Sequence, residues 1–446
     1  MVKVLATLGP SSIDLVEDLA RAGVDGFRIN MSHGSRGLWD RMVNLIRDAE
    51  ERVGRPLAIV ADLEGPRVRL GSFTPIQVKP GDVVALGSEG IPVDRDELFK
   101  ALEPGDNVLV ADGKVVLRVL EVWSGGARAR VESGRVLEPR KGVAVAGKDL
   151  PLPPLTSKDL EDLEFAASRP FSHVMVSYVR DPGHVEKVRD RLRSLGAGHI
   201  RVIAKIETPS AVKRVREIAR ASDGVVVARG DLGMHYLLEE LPRVQARIIE
   251  GTRAEFRPVI LATELLPSMI TSPTPARSDV VDVYTGARSG VDAMMLTGET
   301  AVGEYPVEAV RWLRRIVGAA LQGYRPSRPE ARGVEYRLAR GIVELVESLE
   351  ATLVVYSRTG TFPGRISSFR PTRPYKVGVP TRTVARAVSI LWGAEPLIVP
   401  ARDYQDGLDA TVRMLEPELE GSVVMAAWSR EQDHYHVKIR IDRGAG

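Results

Sequence analysis

The stretches Val202-Ile203-Ala204-Lys205-Ile206-Glu207 and Val225-Val226-Val227-Ala228-Arg229-Gly230-Asp231 each run from apolar, β-rich sequence into a charged end. They read as adjacent parallel strands. Side chains alternate faces along a strand, so Lys205 and Glu207 project to the same side, and Asp231 arrives one β/α unit later at an equivalent height. One ammonium and two carboxylates then converge. Hard oxygen ligands of this kind suit Mg²⁺ or Mn²⁺, and a lysine beside a divalent ion suits a substrate carrying phosphoryl charge. The structural alternatives are a strand-end ion pair for Lys205 and Glu207 and a helix cap for Asp231.

Working outward, strands are expected at 2–8, 26–30, 57–61, 173–176, 202–207, 224–228, 258–262 and 292–296, with helix-like stretches such as 13–22 and 211–219 between them. Eight such units predict an α/β fold, a (β/α)8 TIM barrel with its site at the C-terminal strand ends. The pattern breaks after the third strand into Pro80-Gly81-Asp82, Pro104-Gly105-Asp106 and Asp112-Gly113, set among short Val-rich runs. Residues 71–147 therefore read as an inserted all-β lid domain, with the catalytic barrel formed by 1–70 and 148–323. The polar linker Tyr324-Arg325-Pro326-Ser327-Arg328-Pro329-Glu330 leads into a third, C-terminal α/β domain, 330–446.

Composition narrows the function classes. The 446 residues contain no cysteine, so a disulfide framework, a thiolate metal site and a Cys nucleophile are excluded. No apolar run approaches the roughly 18 residues of a membrane span, and the start lacks a signal-peptide layout, so a cytoplasmic location without membrane partners is expected. The 62 basic residues are offset by 59 acidic ones and aromatics make up 5% of the chain, which argues against a nucleic-acid partner. Asparagine occurs only at Asn30, Asn44 and Asn107, a bias shared by proteins of hot habitats and by base-biased genomes.

Seven strings carry a resemblance over nearly the whole chain: Thr7-Leu8-Gly9-Pro10-Ser11-Ser12, Arg28-Ile29-Asn30-Met31-Ser32-His33-Gly34, Asp62-Leu63-Glu64-Gly65-Pro66, Ala204-Lys205-Ile206-Glu207, Ala228-Arg229-Gly230-Asp231-Leu232-Gly233, Pro273-Thr274-Pro275-Ala276-Arg277 and Met295-Leu296-Thr297-Gly298-Glu299-Thr300. In this order and spacing they resemble the pyruvate kinase family. The resemblance implies phosphoryl transfer from phosphoenolpyruvate to ADP, giving pyruvate and ATP, the last step of glycolysis, in a homotetramer. By similarity, Glu207 and Asp231 hold Mg²⁺, Lys205 and Arg28 meet the moving phosphoryl group, and the amides of Gly230 and Asp231 take the substrate carboxylate. Thr263 resembles the threonine on the proton path to the enolate carbon, with a water chain as the ultimate acid. Asn30, His33 and Arg69 fall where the family approaches the nucleotide.

Departures from the family pattern are specific. Asn30, Ser32, Asp62 and Leu63 match residues of the K⁺ site, but Leu63-Glu64-Gly65-Pro66-Arg67 stands where K⁺-dependent members have Thr-Lys-Gly-Pro-Glu, and Leu70 replaces a usual threonine. The expectation is that Arg67 takes the electrostatic place of the cation and K⁺ is not required. Ser357, Arg358, Thr359, Gly360 and Thr361 resemble a loop that binds an effector phosphate, with an ordinary strand-to-helix turn as the alternative. Residues 428–434 replace the glycine-rich loop of fructose-1,6-bisphosphate-regulated relatives, which leaves a nucleotide or a sugar monophosphate as the open choices. Another enolate-forming barrel enzyme and a non-catalytic binding protein are the competing functions.

Overall fold

The computed structural model describes residues 1–111, 113–429 and 434–442. Asp112 of the Asp112-Gly113 turn and residues 430–433 of the substituted loop lie outside them. Strands β1 (Lys3–Thr7), β2 (Gly26–Asn30), β3 (Ala58–Asp62), β4 (His173–Val176), β5 (Arg201–Ile206), β6 (Gly224–Ala228), β7 (Val259–Ala262) and β8 (Ala293–Leu296) close into a parallel barrel. Each strand pairs with its successor, and β8 pairs back onto β1. Alternation along each strand explains why the runs are apolar on both faces. Leu5, Val60, Met175, Ile203, Val226, Ile260 and Met295 fill the barrel interior. Their neighbours Val4, Ala61, Val174, Val202, Val225, Leu261 and Met294 pack outward against the helices.

Two helices depart from expectation. The stretch 13–22 opens as a 3-10 turn, Ile13–Leu15, before the α-helix Val16–Arg21. The stretch 211–219 is two helices, Pro209–Lys213 and Val215–Ala221, interrupted at Arg214. Thr208-Pro209 sets the earlier start: the threonine hydroxyl accepts the Ala211 N–H at 3.2 Å, and proline suits the first helical position.

Between β3 and β4 the chain forms a six-stranded antiparallel sheet, ordered Val68–Arg69, Gly142–Val145, Asn107–Val110, Val115–Trp123, Gly126–Ser133, Val83–Gly87, around its own core of Leu86, Phe99, Leu117 and Val131. The C-terminal sheet comprises β9 (Thr352–Tyr356), β10 (Tyr375–Val379), β11 (Ala394–Ile398), β12 (Val423–Ser429) and β13 (His434–Arg440). Its order is β11-β10-β9-β12-β13, parallel except for β13.

This third unit is built into the barrel's N-terminal face. Ile390, 3% exposed, belongs to the cluster inside the barrel, where it supplies the closing side chain at the base. Arg370 forks onto Asp292 at 2.7 and 3.2 Å, both side chains being 2% exposed, and Arg386 pairs with buried Glu50. Arg201, which opens β5, donates to the Thr359 carbonyl at 2.7 Å.

His173, at the start of β4, lies in this seam with its Nδ1 2.9 Å from Ser172 Oγ. Burial, helped by the Arg201 charge, pulls its pKa from 6.5 to about 3, against a smaller upward pull from Asp223. Above pH 6.5 the ring is neutral in both folded and unfolded chains. As pH falls from 6.5 toward 3 the unfolded chain alone takes up the proton, so stability is lost at up to about 1.4 kcal/mol per pH unit. Chemical-denaturation midpoints across this window should fall less steeply for His173→Asn than for the wild type. Parallel curves would assign the acid sensitivity elsewhere.

Candidate active site

The C-terminal ends of β2, β3 and β5 bring four charges together. Lys205 Nζ lies 2.8 Å from Glu207 Oε1, 2.9 Å from Ser177 Oγ and 3.5 Å from Asp62 Oδ1. Arg28 grips the other oxygen of Asp62, with Nη2 and Nε at 2.5 and 2.6 Å, and its Nη1 donates to Thr7 Oγ1 at 3.1 Å. The backbone N–H of Tyr178 donates to Glu207 Oε2 at 2.7 Å. Tyr178 has φ +53°, a left-handed conformation that a bulky residue adopts only when its surroundings impose it.

Burial by itself disfavours the Lys205 ammonium, but Asp62, Glu207 and Asp231 outweigh it and raise its pKa, so the cation is fixed. Glu207 goes the other way: burial, reinforced by repulsion from Asp231, pushes its carboxyl up to about 7 despite the Lys205 ion pair. Negative charge is therefore in excess around Glu207 and Asp231. Asp62 Oδ1 adds a buried oxygen without a hydrogen bond. An all-oxygen, electron-rich pocket of this kind fits a hard divalent cation. Among the described residues no cluster of three or more His, Asp or Glu ligands occurs. A hard divalent cation held by few carboxylates keeps water or substrate oxygens for its remaining positions.

Asp231 sits in the short helix Arg229–Leu232 that follows β6. Beside it, after β7, Thr263 and Glu264 are both left-handed, at φ +68° and +52°. Strain of this type costs of order 1–3 kcal/mol per residue and collects at functional sites. The Thr263 hydroxyl accepts the Gly230 N–H at 2.9 Å and donates to the Ala262 carbonyl at 2.6 Å. The Gly230 amide, expected at a substrate carboxylate, is thus held by Thr263 here.

The other expected residues are distributed around this centre. Asn30 Oδ1 accepts the Ser32 N–H at 3.1 Å, and the Leu63 carbonyl accepts from Ser177 Oγ at 2.8 Å. His33 is an exposed loop residue whose carbonyl accepts Trp39 Nε1 at 2.8 Å, while Ser35 is the N-cap of the following helix. Gly34 stands at φ +89°, a conformation that side chains rarely adopt, and a Cβ there would press on Leu38 at 3.0 Å and on the Trp39 ring at 3.2 Å. Arg69 bonds Glu64 at 3.1 Å and the Arg140 carbonyl at 3.3 Å, at the hinge of the inserted domain rather than on the Asn30–His33 loop. Asp62 pairs with Arg28 and Lys205, and the Arg67 guanidinium packs over Gly142.

Farther away, at the opposite barrel end, Ser357 Oγ accepts the Gly360 N–H at 3.1 Å and the Thr359 and Thr361 hydroxyls lie 3.0 Å apart. Arg358 lies 5.7 Å over the Tyr404 ring.

Sequence reasoning missed Lys158 and Tyr178. Lys158 Nζ donates to the Met31 carbonyl and to Asp162, both at 2.6 Å, and lies 5.3 Å over the Trp39 ring, so it braces the Asn30–His33 loop. Its signal was the capping box of Thr156 and Asp159, which places Lys158 in the first turn of the helix Ser157–Ala167. Tyr178 gave none, since a left-handed tyrosine has no sequence signature.

Comparison with known proteins agrees with this geometry. The profile described as "Pyruvate kinase, barrel domain" matches residues 1–310. The chain is 49% identical to a pyruvate kinase of Aeropyrum pernix, with 98% of each chain covered, and 39% identical to one of Pyrobaculum aerophilum, over 93% of this chain and 92% of the other. The crystal structure of pyruvate kinase from Pyrobaculum aerophilum superposes with a TM-score of 0.91 at 37% identity, covering 99% of both chains. A pyruvate kinase structure from Cryptosporidium parvum superposes at 0.91 with 25% identity, over 98% and 95%. With its closed barrel, its charged strand ends and this extent of similarity, the chain belongs to the pyruvate kinase family and is a phosphotransferase.

Proposed function

We propose that the enzyme transfers the phosphoryl group of phosphoenolpyruvate to ADP at the mouth formed by β2, β3, β5 and β6. The observation that carries this reading is the Arg28–Asp62–Lys205–Glu207 charge network, pre-aimed and largely desolvated before substrate arrives. Phosphoryl transfer depends on positioning and charge neutralisation more than on covalent chemistry by the protein. Arg28 keeps Nη1 and Nη2 hydrogens beyond those on Asp62 and Thr7, and this planar fork suits phosphoryl oxygens. Lys205, held by Ser177 and Glu207, supplies the point charge. Glu207 and Asp231 would hold Mg²⁺ or Mn²⁺, which when bound supplies Lewis-acid neutralisation of substrate oxygens. Thr263 relays a proton from water to the enolate carbon. Asn30, His33 and Arg69 contact the nucleotide, with Lys158 bracing the first two.

The same reading assigns 71–147 as a lid and 330–446 as a regulatory domain. The Ser357–Thr361 loop, with its paired hydroxyls and left-handed Gly360 at φ +79°, supports a phosphate cradle for an effector. Exposed Leu237, Leu238, Val281 and Val302 offer apolar surface for a homotetramer. No helix among the described residues is long and apolar enough to cross a membrane, which is compatible with a cytoplasmic enzyme.

Activity without K⁺ is part of the proposal, on different grounds from the sequence argument. Arg28 and Lys205 already place two positive charges on Asp62, so that carboxylate needs no monovalent partner. Pyruvate formation from phosphoenolpyruvate and ADP with Mg²⁺ should proceed in tetramethylammonium buffer. A rise of about tenfold or more on substituting K⁺ at constant ionic strength would restore a required cation site. Absence of pyruvate under both conditions, with folded protein, would remove the assignment of substrate.

A further inference from the structure

We propose that Arg229 is a positioning residue for proton delivery: its guanidinium clamps the left-handed Thr263–Glu264 turn and so aims the Thr263 hydroxyl at the reacting carbon. This rests on the reading of Thr263 as the proton relay. Arg229 leaves the end of β6 and reaches across to the loop after β7. There Nε and Nη2 donate to the Thr263 carbonyl at 3.1 and 2.7 Å, and Nη2 also donates to the Glu264 carbonyl at 2.7 Å. Its remaining arm, Nη1, is anchored on Asp282 Oδ2 at 2.6 Å, in the helix Arg277–Arg288. The Arg229 side chain is 13% exposed.

Two consecutive non-glycine residues at positive φ do not hold that shape unaided. Both carbonyls turn toward Arg229, and one planar fork takes them together, which a lysine ammonium on a flexible stem does not reproduce. The turn in turn fixes the hydroxyl. Thr263 Oγ1 stands 2.9 Å from the Gly230 nitrogen, the residue next to Asp231, and a Cβ on Gly230 would lie 3.7 Å from that oxygen. In the reaction, the enolate carbon gains a proton from the hydroxyl, which regains one from water; the hydroxyl must first rotate off the Ala262 carbonyl that it meets at 2.6 Å. Arg229 touches neither substrate nor metal ligand in this arrangement. Its effect runs through the position of one oxygen.

The test compares Arg229→Lys, Thr263→Ala and the double variant, reading steady-state kinetics and the exchange of pyruvate methyl protons with D₂O under Mg²⁺. Arg229→Lys should lower kcat and methyl exchange by a common factor on the order of 10- to 100-fold, with KM for phosphoenolpyruvate little changed and a larger solvent deuterium isotope effect on kcat. In the double variant the loss should equal that of Thr263→Ala alone, because the clamp has nothing left to aim. Multiplying losses, or wild-type exchange in Arg229→Lys, would overturn the inference while leaving Thr263 in place. Wild-type exchange in Thr263→Ala would instead remove the proton-relay reading on which it rests. Should Arg229→Lys not fold, Asp282→Asn decides: it frees the anchored arm and should show the same kcat and exchange signature in weaker form, and normal exchange there counts against the clamp.

Discussion

Lys205→Met is expected to lower kcat by about 10³-fold or more while leaving divalent-cation binding intact or tightened. The two halves of this result follow from one charge count. Lys205 is fixed as a cation by Asp62, Glu207 and Asp231 and held in place by Ser177. It is therefore already aimed when negative charge develops, and no solvent or side-chain reorganisation is needed at the moment of transfer. Removing it leaves Asp62 with Arg28 and takes the paired cation from Glu207, so the pocket becomes more attractive to Mn²⁺, measurable by titration calorimetry of the folded variant. Lys205→Arg should not rescue turnover, since a longer planar fork does not fit a site where the side chain is 13% exposed. Turnover within about tenfold of wild type in Lys205→Met would remove the lysine from the catalytic machinery.

The largest expected effect on stability lies at the other end of the barrel. Arg370→Met should destabilise the protein by about 3–5 kcal/mol, because it strands a buried carboxylate without its counter-charge. Asp292 would keep only the N–H donors of Val259 and Trp392, at 3.0 and 3.3 Å, and the Gly290 carbonyl would lose two donors. The exposed pair Arg373–Glu350, 63% and 82% exposed, is the control: Arg373→Met should change stability by less than about 1 kcal/mol. Adding Asp292→Asn to Arg370→Met should recover part of the loss, since a neutral amide is less costly to bury than an unpaired carboxylate. Thermal midpoints of Arg370→Met and Arg373→Met that coincide would show that the seam bears little of the fold's stability.

Much of the barrel was legible because buried parallel strands write themselves as apolar runs, and the eight runs fell within a residue or two of β1–β8. The facing of Lys205 and Glu207 followed from strand periodicity alone, and their 2.8 Å separation agrees with it. What escaped was whatever depends on residues distant in sequence. That Arg28 would grip Asp62 depends on the pairing of β2 with β3, which sets Asn30 opposite Asp62 and brings Arg28 within reach. The left-handed backbones of Tyr178, Thr263 and Glu264 are imposed by their surroundings against local preference, so local sequence argues against them. The early helix start at Pro209 is local: Thr208-Pro209 carries a start signal two residues ahead of the apolar periodicity.

Ile390 gives the chain an order of assembly. The barrel's strands end at Leu296, yet the side chain that closes its inner core comes from beyond β10, after the linker and the first two strands of the C-terminal sheet. Synthesis runs from the N-terminus and domains ordinarily fold as they emerge. Here the first-made unit stays open at its base until the last-made unit docks, so the nascent barrel carries an unfilled apolar socket from the end of β8 until Ile390 arrives. The two units share a layer of core, and cutting the gene between them would divide a single hydrophobic interior rather than separate two modules.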